Sequence, residues 1–286
     1  MAWQLTEDVE TYLAAAGDFL RACPAENTVI LTAVAAVRSQ GPAAFGGSAP
    51  LFGWQAEPDG AVTAAFLHTP PFPVVLTAMT DGHAAALAAE LAARGRRPAG
   101  VNAGPGPATA FAAAWQDHTG QAARTGMRMR LYTLGRLLPL YPPPPGQART
   151  ASAQDTALLL AWLDAFHDEA GPQGPNESER LVNDRIGFGG LVLWEHHGRP
   201  MSLAARTRAA AGQARIGPVY TPPDLRGRGF GGAATVAITQ AALDDGASGV
   251  VLFTDQANLA SNTLYQRIGY RPVSDWTVLR FGTAEH

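Results

Sequence analysis

Lysine is absent from this chain of 286 residues: all 21 of its basic residues are arginine. Several chemistries are excluded with it, since a Walker-type phosphate loop, a pyridoxal Schiff base and a protein kinase each depend on a lysine. Cysteine is nearly absent. Cys23 stands alone, which rules out an internal disulfide and a thiolate metal cluster and leaves it to be read as a small buried apolar residue. Charge is sparse, at 16% of residues with a net charge of -3, and no block of like charges stands out. No footprint for nucleic acid follows from that. Long apolar runs are missing too. Stretches such as "NTVILTAVAAV" are too short to span a bilayer, and the opening "MAWQLTEDVE" is acidic where a secretory signal would be basic and then apolar. The expected setting is the cytoplasm, without a membrane partner.

What is present is a hydrophobic content of 47%, enough for a full core in one large domain or two ordinary ones. The strongest break is "LYPPPPG", where four consecutive prolines hold an extended backbone that neither a helix nor a central strand accommodates. It predicts domains over 1–140 and 147–286 with a linker at 141–146. After the break, "QARTAS" reads as a short strand, and "AQDTALLLAWLDAFHDEA" and "ESERLVNDRIG" have helical periodicity, with the turn-rich "GPQGPN" between them. "GLVLWEHHGRPMSLAARTR" and "QARIGPVYT" supply three strands. A glycine loop, a helix to about Gly246, the strand "GVVLFT", the loop "DQAN", the helix "LASNTLYQRI" and the strands of "YRPVSDWTVLRF" complete a mixed α/β unit.

The first half repeats part of that order. "PFPVVLT" reads as strand, "DGHAAALAAELAARG" as helix, "PAGVN" as strand, "PATAFAAAWQDHTG" as helix and "RMRLYTL" as strand. Where the second half carries "RGRGFGG", the first has "TAMTDGHA". An internal duplication with one site lost fits this pattern; an unrelated α/β domain is the alternative.

The nine residues "DLRGRGFGG" bear most directly on function. Glycines in a loop that opens a helix permit positive φ and let backbone N–H groups turn toward an anion, and the helix start adds its partial positive charge. A diphosphate is the natural guest. Arg226 and Arg228 are expected to add compensating charge. The spacing does not suit a dinucleotide fold, which asks for G-x-G-x-x-G early in a βαβ unit with an acidic residue about 20 positions on.

The run Arg226-Gly227-Arg228-Gly229-Phe230-Gly231 resembles the R/Q-x-x-G-x-G/A signature of the GNAT superfamily of N-acetyltransferases. A second stretch, from Asn258 through Ser261, Leu264 and Tyr265 to Gly269-Tyr270, is similar to that family's N-x-x-[AS]-x-x-L-Y-x-[KR]-x-G-[FY] pattern. The resemblance covers roughly residues 150 to 282 and implies two GNAT-like domains, the N-terminal one degenerate, with acetyl-CoA as cosubstrate and no metal. It implies that the strand before the loop splays from its neighbour at a bulge, so that Val219, Tyr220 and Thr221 face the pantetheine arm. It places the diphosphate on the amides of Gly227, Arg228, Gly229, Phe230, Gly231 and Gly232, and makes Asn258, Ser261 and Asn262 further contacts of the coenzyme or its loop. Tyr265 becomes the acid: a phenol of pKa about 10 can protonate a departing thiolate within hydrogen-bond reach. Packing on the helix with Leu264, Ile268 and Tyr270 is the plainer role for the same residue.

The general base is less determined. Glu195 is the leading candidate, with His196, His197, His167, Asp168, Glu169 and Asp255 as others; the two adjacent histidines read as a hairpin tip rather than zinc ligands. The implied reaction is direct attack by a primary amine of a small-molecule acceptor, in a monomer or homodimer. The alternative is a non-catalytic acyl-CoA-binding or sensing protein.

Overall fold

Among the described residues, 2–46, 48–171 and 176–282 of the computed structural model, twelve strands and eight α-helices follow one another in an order that occurs twice. The first round is β1 (Gln4–Thr6), α1 (Val9–Ala22), α2 (Thr28–Gln40), β2 (Leu51–Ala56), β3 (Val62–His68), β4 (Val74–Leu76), α3 (Asp81–Ala93), β5 (Gly100–Ala103), α4 (Pro105–Thr119) and β6 (Ala122–Leu134). The second is β7 (Gln147–Thr150), α5 (Thr156–Ala170), α6 (Ser178–Ile186), β8 (Leu191–His196), β9 (Arg199–Arg206), β10 (Gln213–Tyr220), α7 (Phe230–Asp244), β11 (Gly249–Asp255), α8 (Leu259–Arg267) and β12 (Tyr270–Gly282). The mixed α/β class expected from the sequence is what the chain adopts. "YRPVSDWTVLRF" forms one long strand, β12, rather than several.

Contacts gather these elements into two units, Met1–Arg130 with Ser274–His286, and Leu131–Val273. The prolines at 141–146, expected as a linker, therefore lie inside the second unit. The boundaries cut β6 and β12 instead, and Thr277–Arg280 of β12 pairs antiparallel with Ala103–Gly100 of β5. A ladder between residues so far apart in sequence leaves no local signal to read.

In the first unit β1 to β5 lie side by side in chain order; only β4 and β5 run parallel within that set. Phe66 and Leu76 on one face meet Leu87 and Leu91 of α3 and Phe111 and Trp115 of α4. On the other, Tyr12 of α1 stacks on Phe52 with ring centroids 5.0 Å apart. Cys23 is exposed, not buried. It is the C-cap of α1, past the buried stripe of Tyr12, Ala16 and Leu20, so it turns away with the chain that follows.

In the second unit the order is β11-β10-β9-β8-β7, with β10 and β11 parallel. "LVL" at the start of β8 is a continuous apolar run because both faces are covered. Leu191 and Leu193 meet Leu159, Leu163 and Val182 of α5 and α6, while Val192 faces the core built around Ala234 and Ile238 of α7. α7 itself is rich in glycine, alanine and threonine on its buried side, which lets it lie close to β8, β9 and β10.

Candidate functional site

β10 departs from regular pairing on both edges. Its parallel ladder with β11 runs from Gln213↔Gly249 to Ile216↔Leu252 and stops there, although β10 continues to Tyr220 and β11 to Asp255. On the other edge the register passes from Ile216↔Arg206 to Val219↔Ala204, three steps along β10 against two along β9. The extra residue is a bulge, which bends a strand and frees backbone from its ladder. It falls at Gly217-Pro218, and Arg185 Nη1 of α6 donates to the Gly217 carbonyl at 2.5 Å. The bulge and splay expected from the sequence are thus present immediately before Val219, Tyr220 and Thr221. Ser202 fixes the end of the strand, donating to the Tyr220 carbonyl at 2.8 Å with its Oγ 2.9 Å from Thr221 Oγ1.

The glycine loop follows a single 3-10 turn at Pro223–Leu225. Gly227 and Gly229 have φ of 76° and 83°, the left-handed region in which glycine alone is unstrained. Gly229 is the N-cap of α7, no side chain caps the helix, and its first turn carries no acidic residue. The ladder begins only at Ala233, whose N–H donates to the Gly229 carbonyl. The amides of Phe230, Gly231 and Gly232 precede it, and orphan first-turn N–H groups of this kind are a ready anion site. Close approach explains two of the glycines: a Cβ at Gly231 would stand 3.0 Å from Thr221 Oγ1, and one at Gly232 would stand 2.7 Å from Leu264 Cδ1. Phe230 anchors the turn, buried with Met201 and Leu225.

The two arginines of the loop have partners close by. Arg226 donates to the Thr221 carbonyl at 2.9 Å and to Glu169 Oε2 at 2.5 Å, and Arg228 donates to the Asp224 carbonyl at 3.2 Å. Both brace the loop. Glu169, at the end of α5, also accepts from the Tyr220 hydroxyl at 3.3 Å. Burial, and then the neighbouring Glu169 carboxylate, push the Tyr220 phenol above its ordinary pKa. Of all the carboxylates considered as base, Glu169 is the one whose contacts bring it to β10 and the loop.

Glu195 is not brought to this place. It is the penultimate residue of β8, opposite Gln147 of β7, and accepts from Arg149 Nε at 3.2 Å, while Arg149 also forks onto Asp155 at 2.8 Å through both terminal nitrogens. β9 separates it from β10. His196 and His197 form the hairpin tip that was expected, with rings 4.0 Å apart, and His197 takes a positive φ in the two-residue turn before Arg199. Asp255 Oδ1 accepts from the Ala257 amide at 2.9 Å, a local turn. Among the described residues no group of three or more His, Cys, Asp and Glu side chains is placed to hold a metal ion, and no helix is long and apolar enough to cross a membrane.

The second sequence motif builds α8. Asn258 caps the helix, accepting from the Ser261 amide at 3.0 Å. Asn262 donates to the carbonyls of Asp255 and Asn258, both at 2.8 Å, and accepts from the Tyr132 hydroxyl at 2.8 Å. These bonds tie α8 to the free end of β11. Tyr265 belongs to the same core cluster as Val219, with its ring 6.4 Å from Tyr132 and 6.2 Å from Tyr270. Burial pushes its phenol up to about 12, with the Ser261 side chain pulling the other way, so it keeps its proton throughout the neutral range. The stretch expected to shape the acceptor cleft, "AFHDEAGPQGPNESER", is described on both flanks, while 172–175 lie outside the described residues.

Residues 195–279 match the FR47-like protein family. No curated protein matches the chain. Among solved structures, a Drosophila protein superposes with a TM-score of 0.69 at 11% identity, over 99% of each chain. A GCN5-related N-acetyltransferase from Sphaerobacter thermophilus gives 0.59 at 15% identity, covering 97% of this chain and 95% of its own. A GNAT-family acetyltransferase from Colwellia psychrerythraea gives 0.57 at 11% identity, covering 98% and 99%. At such identities the likeness is one of fold, and it extends over both units.

Proposed function

We propose that this chain, a member of the GNAT acetyltransferase superfamily with an FR47-like C-terminal part, moves an acetyl group from acetyl-CoA to a primary amine of a small acceptor by direct attack. The observation that carries the reading is the uncapped start of α7: three first-turn amides and two positive-φ glycines, with no carboxylate in the turn, directly after a strand that has left its neighbour. A diphosphate fits there. An aspartate or glutamate at the same turn would repel it.

Bound at this place, acetyl-CoA supplies an acyl group activated as a thioester. The chain does the rest. The amides of Phe230, Gly231 and Gly232 with those of Gly227 to Gly229 hold the negative charge, and the backbone of Val219 to Thr221, clear of β11, orients the arm and polarises the carbonyl. Tyr265 holds a proton on its phenolic oxygen for the departing sulfur. Glu169, in place of Glu195, is the group positioned to take the proton of the incoming amine. Cys23, the only thiol, lies outside the second unit, which argues against a covalent route through it.

Gly229→Asp adds a side chain at positive φ and a negative charge beside the orphan amides. Calorimetry should register no binding of acetyl-CoA to this variant and clear binding to the wild type; equal affinities would remove the assignment. The second reading, a non-catalytic acyl-CoA binder, draws on the sharing of the Glu169 carboxylate between Tyr220 and Arg226. Thiol release measured across a panel of amines separates the two.

A further inference from the structure

The α6 side of β10 holds more positive charge than its neighbours balance. Arg215 stands on β10 two residues before the Gly217 bulge, on the face opposite Ala214 and Ile216, which pack under α7. Its Nη1 is shut off from solvent and has no hydrogen-bond partner among the described residues. Arg185 of α6 comes in from the other direction and spends one N–H on the Gly217 carbonyl. Burial and then the Arg215 charge hold Arg185 down to about 9, and burial holds Arg215 down to about 10. Of the charges nearby, Asp184 is shared with Arg208 at 3.8 Å, and Arg180 is paired with Glu177. No carboxylate makes a hydrogen bond to Arg185 or Arg215 among the described residues. A guanidinium N–H shut off from water and left without a partner is costly, and such a charged donor is suited to an oxyanion.

We propose that Arg215 and Arg185 form an oxyanion subsite of the acceptor cleft, so that the amine acetylated here also carries a carboxylate or a phosphate. The inference rests on the acetyltransferase reading above and supplies the substrate class that reading leaves open. The bulge that frees β10 toward the thioester also brings the Arg185 guanidinium to the same point of the strand. An acceptor held by its anion at that point would have its amine directed along β10 toward Tyr220 and Glu169.

The test uses matched pairs: an amino acid against its decarboxylated amine for the carboxylate, and phosphoethanolamine against ethanolamine for the phosphate. Thiol release by the wild-type chain should favour the anionic member of at least one pair by tenfold or more in kcat/KM, and the pair that responds identifies the oxyanion. In Arg215→Met, which keeps the bulk and removes the charge, that preference should fall at least tenfold through KM, while calorimetric affinity for CoA stays within twofold. A wild type that prefers the neutral members, or an Arg215→Met preference equal to the wild type, overturns the subsite. Should the variant fold poorly, a carboxylic acid lacking the amino group serves on the wild type: competitive inhibition against the acceptor and not against acetyl-CoA supports the subsite, and no inhibition at millimolar concentration counts against it. Loss of CoA binding by the wild-type chain would sink the acetyltransferase reading itself, an outcome distinct from all of these.

Discussion

The turn between β4 and α3 and the loop between β10 and α7 occupy the same place in the repeated order of elements, and their helix starts are opposite in chemistry. Thr80 caps α3, its Oγ1 accepting from the His83 amide at 3.2 Å, and Asp81 adds a carboxylate to the first turn. That carboxylate also reaches the start of α4, where a Cβ on Gly106 would stand 3.0 Å from Asp81 Oδ1. At α7 no side chain caps the helix and its first turn is free of acidic residues. One helix start is sealed by its own side chains and carries a negative charge; the other is open and lined by glycine. The topology is common to both units, so the capacity for an anion is decided by a handful of side chains at one helix start, not by the fold. α8 and α4 repeat the contrast. The seventh residue of each is aromatic, Tyr265 with a hydroxyl in one and Phe111 without in the other.

That last pair gives the largest effect. Tyr265→Phe should lower kcat by about 10²- to 10⁴-fold, the usual range for loss of a positioned general acid, and leave the affinity for acetyl-CoA within twofold. Phe111 sits at the corresponding position, fully buried and stacked on the rings of Trp115 and Phe281, so the fold tolerates a phenyl there. Steady-state thiol release decides the matter. A Tyr265→Phe enzyme that keeps kcat within threefold would make the phenol a packing group in both units.

A second contrast lies at the strand ends next to the parallel pairs. β3 ends in His68 and β9 in Arg206, both buried. Arg206 is paired with Asp245 and lies over the Phe188 ring. His68 has no partner on either nitrogen among the described residues, and burial, then the Arg96 charge, hold it down to about 4 from an ordinary 6.5. The unfolded chain therefore takes up a proton there that the folded first unit refuses. Stability that is whole above about pH 6.5 is lost as pH falls toward 4, by about 3 kcal/mol at 1.36 kcal/mol per unit. His68→Leu should remove that dependence. Hydrogen exchange of the β3 amides at pH 7 and pH 4.5 is the measurement, and an unchanged slope in the variant would place the acid sensitivity elsewhere.

Much of this was legible in the sequence, and the limits have physical causes. The glycine loop, the helix it opens and the second motif are local, because an anion site at a helix start is made of consecutive amides; periodicity likewise gave the elements from β7 to β12 and from β4 to β6. Pairing between distant segments was not legible. The partnership of Glu169 with Tyr220 and Arg226 joins residues 51 and 57 positions apart, and Glu195 looked available only because Arg149 was not known to face it. The 141–146 prolines drew the expected boundary, yet the division follows a ladder between β5 and β12 that no local pattern announces.

The smallest effect tests the sealed helix itself. Thr80→Ala removes the side-chain acceptor from the His83 amide, and loss of an N-cap costs about 1 kcal/mol, typically between 0.5 and 2. The loss should be confined to the first unit and appear as faster hydrogen exchange in the first turn of α3. Exposing an amide there does not make a second coenzyme site, because Asp81 stays in the turn and opposes any phosphate, and because β4 is three residues long and pairs with β3 in unbroken register, Phe66↔Leu76 and Leu67↔Val75. Calorimetry of Thr80→Ala should therefore give the same CoA stoichiometry as the wild type. A second equivalent of CoA bound by this variant would show that the cap alone, and not the acidic first turn with its unsplayed strand, is what distinguishes the two halves of the repeat.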